Sequence, residues 1–171
     1  MSIHIRRAKT SDLETLRSIE KECFTTEAFT RKQLYYLLEN PRGISLVAQI
    51  NDEIAGFLVG LIYSYGKTRT GHVYTVDVAV KHRRKGVGLR LLREFEERLV
   101  ENRVGICYLE ARSGNLAALE LYRKQGYTEV HVLKNFYSKG VDGIRLVKKL
   151  SARRNQSFNS KETQRDEQNL P

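Results

Sequence analysis

The chain has no tryptophan, one methionine, two prolines and two cysteines among 171 residues. Cys23 and Cys107 lie far apart and show no CxxC or paired-histidine spacing, so they read as free buried thiols rather than a disulfide. His4, His72, His82 and His131 are equally scattered, and no metal is expected. No apolar run approaches the roughly 20 residues of a membrane span. The opening MSIHIRRAKTSD carries charges with no hydrophobic stretch behind them, unlike a signal peptide, which makes a cytoplasmic protein without membrane contact the expectation. Acidic residues are also in short supply, 20 against 30 Lys and Arg, for a net charge of +10. Little of that excess sits near the end, where Arg153, Arg154, Lys161 and Arg165 face Glu162, Asp166 and Glu167. A basic body suits an anionic cofactor or a nucleic-acid surface, and charge alone does not choose.

Patterning divides the chain into one folded domain over residues 1–150 and a polar tail over 151–171, whose lack of apolar residues predicts disorder. Ser2–Ala8 reads as a short strand. Ser11 and Glu14 have capping-box spacing before a helix to about Phe24, and Thr30 and Gln33 repeat it before a second helix that stops at Asn40-Pro41. Ile44–Ile50 and Ile54–Tyr63 flank Asn51-Asp52 as a predicted hairpin, and Gly66–Gly71 reads as a mobile polar loop. A strand over Val73–Val80, a helix, a strand over Val104–Ala111 and a helix capped by Ser113-Gly114-Asn115 and stopped by Gly126 follow. Strands over Tyr127–Lys134 and Val141–Leu150 complete the order βααβββαβαββ, with no internal repeat.

The most informative stretch is Val73–Arg98, VYTVDVAVKHRRKGVGLRLLREFEER. Alternating valines give way to a helix carrying Val87, Leu91, Phe95 and Leu99 at steps of four, and the join is Arg83-Arg84-Lys85-Gly86-Val87-Gly88. Glycines admit close backbone approach, the helix N-terminus offers N–H groups and partial positive charge, and three cations surround it. This chemistry suits a phosphate. A Walker loop is excluded because no Lys-Ser or Lys-Thr follows, and a dinucleotide fingerprint because Leu91 stands where its third glycine belongs. The remaining pattern is [RQ]-x-x-G-x-[GA] between strand and helix; without a ligand it is a basic turn with two glycines.

That pattern resembles the acyl-CoA pyrophosphate loop of the GNAT acetyltransferases. A second stretch agrees in order and separation: Tyr108-Leu109-Glu110-Ala111-Arg112-Ser113-Gly114-Asn115, then Ala118 to Tyr127, is similar to that family's L-E-x-R, N-x-x-A-x-x-x-Y and G-[FY] signature. The likeness covers about residues 3–149 and is nearest to the RimI and Ard1 group of protein N-terminal acetyltransferases. One departure is a short loop, with only Lys81 and His82 between Val80 and Arg83.

The resemblance implies an α/β (α+β) GNAT fold. Its mixed, largely antiparallel sheet of about seven strands would be splayed centrally and flanked by about four helices. Acetyl-CoA would wedge into the splay, its pantetheine arm along Val78, Ala79 and Val80 and its pyrophosphate on Arg83, Arg84, Lys85, Gly86, Val87, Gly88 and Leu89. Asn115 would bind the pantetheine amide, and the amide of Val78 or its neighbour would polarise the thioester carbonyl. Glu110, a carboxylate in an apolar strand on the face of Ile106 and Tyr108, is the expected general base, acting through water; a salt-bridged structural role is the alternative. Tyr122 matches the general acid for the departing sulfur, or else packs in the core. Phe24, Phe29, Tyr74 and Tyr137 would grip the acceptor, with Glu27 a second candidate base. The implied acceptor is a protein N-terminus: α-amines titrate near 8 and lysines near 10.4, a difference of roughly 3–4 kcal/mol in the free-amine population. A lysine or small-amine acceptor stays open, as does a basic ribosome- or RNA-binding domain. The expected protein is a monomer or weak dimer with weak ribosome association and no specific nucleic-acid partner.

Overall fold

The computed structural model describes residues 2–24 and 26–151; apart from Ser151, the predicted disordered tail lies outside the described residues. The elements follow the expected order: β1 (His4–Arg7), α1 (Leu13–Cys23), α2 (Arg31–Glu39), β2 (Gly43–Ile50), β3 (Glu53–Tyr65), β4 (Thr68–Val78), α3 (Val87–Glu101), β5 (Ile106–Arg112), α4 (Leu116–Lys124), β6 (Thr128–Ser138) and β7 (Val141–Lys149). The strands form one seven-stranded sheet, ordered β1-β2-β3-β4-β5-β7-β6. Every junction is antiparallel except β4 against β5.

Two apolar layers sandwich the sheet. On one face, Leu91, Leu92, Phe95 and Leu99 of α3 pack on Leu46, Leu58, Ile62 and Val73, with Leu119 of α4 in the same core. On the other, Leu16 and Ile19 of α1 and Leu34 and Leu37 of α2 cover Val47, Phe57, Val59 and Leu61. β3 is therefore apolar on both faces, which explains its unbroken hydrophobic run. Each fully buried Leu or Phe contributes about 1.5–3 kcal/mol relative to exposure.

β4 carries the feature that shapes the site. Its register against β3 shifts between Val59 and Gly60, which pair with Thr75 and Val73, so Tyr74 is the extra residue of a bulge. The bulge exchanges faces along the strand. Val73 lies on the α3 side before it and Val76 and Val78 after it, while Tyr74 packs into the α1–α2 layer. The parallel ladder to β5 stops at the same place, running only from Thr70 opposite Ile106 to Val73 opposite Leu109. Beyond it, β4 continues to Val78 and β5 to Arg112 without pairing to each other, giving the expected central splay.

Several local expectations are corrected. Ser11 does not cap α1. Thr10–Asp12 instead winds a 3-10 turn, with the Asp12 carboxylate accepting the Lys9 N–H and pairing with Arg6, while Glu14 reaches Arg31. The Thr30–Gln33 box does form. β4 ends at Val78 rather than Val80 because Val80–His82 closes the short loop as a 3-10 turn, and β6 extends through Asn135–Tyr137 to Ser138.

α3 lies very close to the sheet because Gly60 and Gly71 leave room for its side chains. A Cβ at Gly60 would stand 2.3 Å from Phe95 Cζ and 2.8 Å from the His72 carbonyl oxygen. Gly60→Ala is expected to cost about 1–3 kcal/mol through overpacking. Gly105→Ala, where an added Cβ meets nothing within 4 Å, is expected to stay within about 0.5 kcal/mol of the parent. Urea unfolding midpoints of the two variants test this contrast.

Candidate active site

Where β4 and β5 part, the sheet opens into a cavity of about 380 Å³. Its walls include Glu110 from β5, Tyr122 from α4, Asn115 at the α4 N-terminus, Phe24, Glu27 and Phe29 from the α1–α2 connection, Tyr74 from β4 and Tyr137 from β6. The residues expected for acid–base work and acceptor binding are thus brought together. The phosphate-loop residues Arg83–Leu89 lie outside this cavity, at the end of β4 where α3 begins.

Glu110 is only 6% exposed. Its Oε2 meets His72 Nε2 at 2.6 Å, and its Oε1 accepts from Arg145 Nε at 2.9 Å and Nη2 at 2.8 Å. Burial opposes ionisation, but the hydrogen bond and charge of His72, followed by those of Arg145, hold the carboxyl below its usual range. The His72 ring lies between Tyr108, stacked at 4.2 Å between centroids, and Tyr74, tilted at 4.5 Å. The Tyr74 hydroxyl bonds that of Tyr63, and burial, then Tyr63, pushes the Tyr74 phenol well up. His72 and Arg145 were not singled out from the sequence. The signal for Arg145 was a cation in an apolar strand, and regular alternation would have put His72 and Tyr74 on the face of Val76 and Val78, from which the bulge separates them.

Tyr122 is buried, edge-on to Tyr127 at 6.0 Å, and burial raises its phenol well above the ordinary range. The hydroxyl therefore stays protonated and can act as a donor. Asn115 Oδ1 accepts the Ala118 N–H at 3.2 Å as the α4 cap, which leaves its amide NH₂ as the group able to meet a ligand. Glu27 forms an ion pair with Arg112, whose guanidinium lies 5.5 Å from the Tyr137 ring centroid. That pair ties the α1–α2 connection to the end of β5.

Beneath this connection lies a second carboxyl pair. Asp77 is buried, accepts from Thr75 Oγ1 at 3.1 Å and lies beside the carboxyl of Glu20. Burial first, then the charge of neighbouring Glu20, lifts the Asp77 carboxyl well above the usual range. Glu20 Oε1 accepts the Phe29 N–H at 3.1 Å. This pair also escaped the sequence reading, although each acid occupies an otherwise apolar position of its element.

At the phosphate loop, Gly86 at φ 80° is the N-cap of α3 and Arg84 at φ 62° precedes it. No side chain caps the helix, so its first N–H groups face outward. Gly86 is required by its left-handed backbone, whereas a Cβ at Gly88 would make only ordinary contacts at 3.6 Å. The three cations have separated roles. Arg83 turns back to the Val78 carbonyl at 3.2 Å and Cys23 Sγ at 3.6 Å, and Lys85 bonds the Lys81 carbonyl, which leaves the Arg84 head group free of such a bond among the described residues. The Ala79 amide donates to Ala55 O and the Val80 amide to Glu22 Oε2.

An unpaired strand edge ending at an uncapped, glycine-initiated helix is the geometry the sequence resemblance implied, and the acetyltransferase (GNAT) family matches residues 13–127. The chain belongs to the GNAT acetyltransferase family. It is 29% identical over 151 residues to an N-alpha-acetyltransferase of Sulfurisphaera tokodaii, spanning 81% of this chain and 87% of that protein. Among solved structures, Ard1 from Thermoplasma volcanium aligns with TM-score 0.80 and 25% identity over 89% of this chain and all of that one. The ribosomal-protein-S18-alanine N-acetyltransferase of Escherichia coli aligns with TM-score 0.76 and 22% identity over 92% of this chain and all of that one, a likeness of fold. The outward N–H groups of α3, the open space over Gly86 and the free Arg84 head group fit the acetyl-CoA used by such enzymes.

The Glu110 contacts predict a pH-dependent stability. A carboxyl whose folded pKa is depressed adds stability that is present above its unfolded value, near 4.3, and lost as pH falls toward the folded value. Glu110→Gln is expected to lower stability by about 1–3 kcal/mol at pH 7. The gap from the parent should shrink below about pH 4; denaturant titrations at both pH values measure it.

Proposed function

We propose that this GNAT enzyme acetylates the N-terminal amine of proteins. The observation that carries the reading is an aromatic-walled cavity at the splay, lined by a carboxylate–imidazole pair and a protonated tyrosine. It is supported by the N-alpha-acetyltransferase likeness over most of the chain. When bound, acetyl-CoA supplies an activated acetyl thioester, held by α3 N–H groups and Arg84 at its pyrophosphate and by the Asn115 amide along its arm. Because the Ala79 and Val80 amides are engaged elsewhere, Val78 is the residue assigned to the thioester oxygen.

The acceptor amine must lose a proton to attack. Glu110 alone is a weak base, since Arg145 and His72 stabilise its ionised form. Together with the His72 ring it can receive the proton through water, with the carboxylate orienting the ring and balancing its charge. Tyr122 donates to the leaving sulfur. Phe24, Phe29, Tyr74 and Tyr137 confine the first acceptor residues, and the Glu27–Arg112 pair closes the cavity beside them. An α-amine, with its low ordinary pKa, suits so mild a base better than lysine does. Ribosomal proteins are candidate acceptors, on the fold likeness to an enzyme named for S18.

Mass spectrometry after incubation with acetyl-CoA tests the acceptor class. The substrates are peptides beginning with Ser, Ala, Met-Leu or Met-Glu, beside one with a blocked N-terminus and an internal lysine. Modification of free N-termini alone is expected; acetylation of the blocked peptide alone would assign a lysine acceptor. Glu110→Gln, His72→Phe and Tyr122→Phe should each lower kcat by about 10²-fold or more while CoA affinity changes little. Arg84→Glu should do the reverse, raising the CoA Kd with kcat at saturation preserved. Parental kcat in any of the first three variants removes that residue from the mechanism.

A further inference from the structure

Phe29 and Tyr74, which line the acceptor cavity, also form a wall of a second hollow of about 610 Å³ between α2 and the ends of β3 and β4. Its floor is apolar and aromatic, with Leu37, Leu61 and Tyr63, and its rim carries Lys32, Tyr36 and Arg42. No carboxylate lines it. Lys32 and Arg42 form no ion pair among the described residues. Arg42 further borders a polar hollow lined by Arg7, Arg69, Arg98 and Glu101, in which cations outnumber the carboxylate.

Resting on the N-terminal acetyltransferase reading, we infer that this groove receives the acceptor polypeptide beyond its first residues and that Lys32 and Arg42 select chains acidic in that stretch. A substrate whose amine reaches the His72–Glu110 pair lies against Phe29 and Tyr74, the two side chains shared by both hollows. An extended chain advances about 3.3–3.6 Å per residue, so the residues that follow pass into the second hollow rather than back into the first. The aromatic floor accepts side chains of many shapes. The selective element is charge, because two unpaired cations over a surface without anions attract carboxylates and repel lysines. The contacts are peripheral to the chemistry, so the preference belongs to encounter and binding and is screened by salt.

The test uses peptides that share their first three residues and continue with Glu-rich, Lys-rich or Ser-Gly sequences, assayed for kcat/KM at about 0.1 M and about 1 M salt. In the full-length protein at low salt, the Glu-rich peptide is expected to exceed the Lys-rich one by about tenfold, with the gap closing at high salt. The double variant Lys32→Glu, Arg42→Glu should invert the order while leaving the Ser-Gly peptide within about twofold of the parent. Both substitutions are on the surface, and an unchanged thermal melt verifies folding. Equal rates for acidic and basic peptides, or an acidic preference that survives the double variant, overturn the inference and leave N-terminal acetylation standing. Failure of every peptide to be acetylated overturns both. Binding of an RNA oligonucleotide that is lost in the double variant, with no preference among peptides, overturns it in favour of a nucleic-acid surface.

Discussion

The organisation of this enzyme depends on the parallel ladder between β4 and β5 ending after four residue pairs. A parallel pair extended to the strand ends would close the sheet and leave no acceptor cavity. The bulge at Tyr74 turns β4 at the point of separation and exchanges its faces. As a result His72 and Tyr74 look toward the α1–α2 side, while Val76 and Val78 return to the α3 core. One inserted residue thereby opens the sheet edge, aims an imidazole at Glu110 and keeps the apolar layer intact.

Two acid clusters sit within the space so created, and their environments separate them. Glu110 faces a guanidinium and an imidazole, which favour its charged form, whereas Asp77 faces another carboxyl in a buried position, which disfavours its ionisation. In the proposed reaction the first takes part in proton removal from the acceptor. The second secures the α1–α2 connection, because Glu20 accepts the Phe29 amide N–H. Aromatic side chains, rather than further charges, fill the space between the clusters.

Element order and the α3 entry were legible in the sequence because each rests on local signals, namely valine alternation, four-residue apolar steps and Gly86 at a left-handed position, whereas the splay was expected only from the family resemblance. Glu110 and Tyr122 were legible through their motif, and the Thr30–Gln33 cap through its spacing. What escaped was set by tertiary pairing. The pairing of Glu110 with His72 depends on a bulge that breaks strand periodicity, and Arg145 reaches Glu110 only through the β5–β7 ladder. Gly66–Gly71 looked like a loop because its residues are polar, yet antiparallel pairing makes it a hairpin tip. Ser11 had the spacing of a cap, but Arg6 draws Asp12 into a tighter turn. Arg83 matched the phosphate pattern, and its guanidinium is nevertheless spent on the β4 terminus.

The position of β7, inserted between β5 and the strand that precedes it in the chain, governs the sequence in which the catalytic centre can be assembled. The β1–β4 meander and its helices draw only on residues already synthesised, whereas β5 acquires its second neighbour only when the last strand arrives. Until then Glu110 lacks the guanidinium that keeps it ionised, and β6 has no edge on which to dock. A nascent chain that has completed the α3 entry therefore carries one side of the cleft without the Glu110–Arg145 ion pair, and under the proposed mechanism catalytic competence is a late product of vectorial folding.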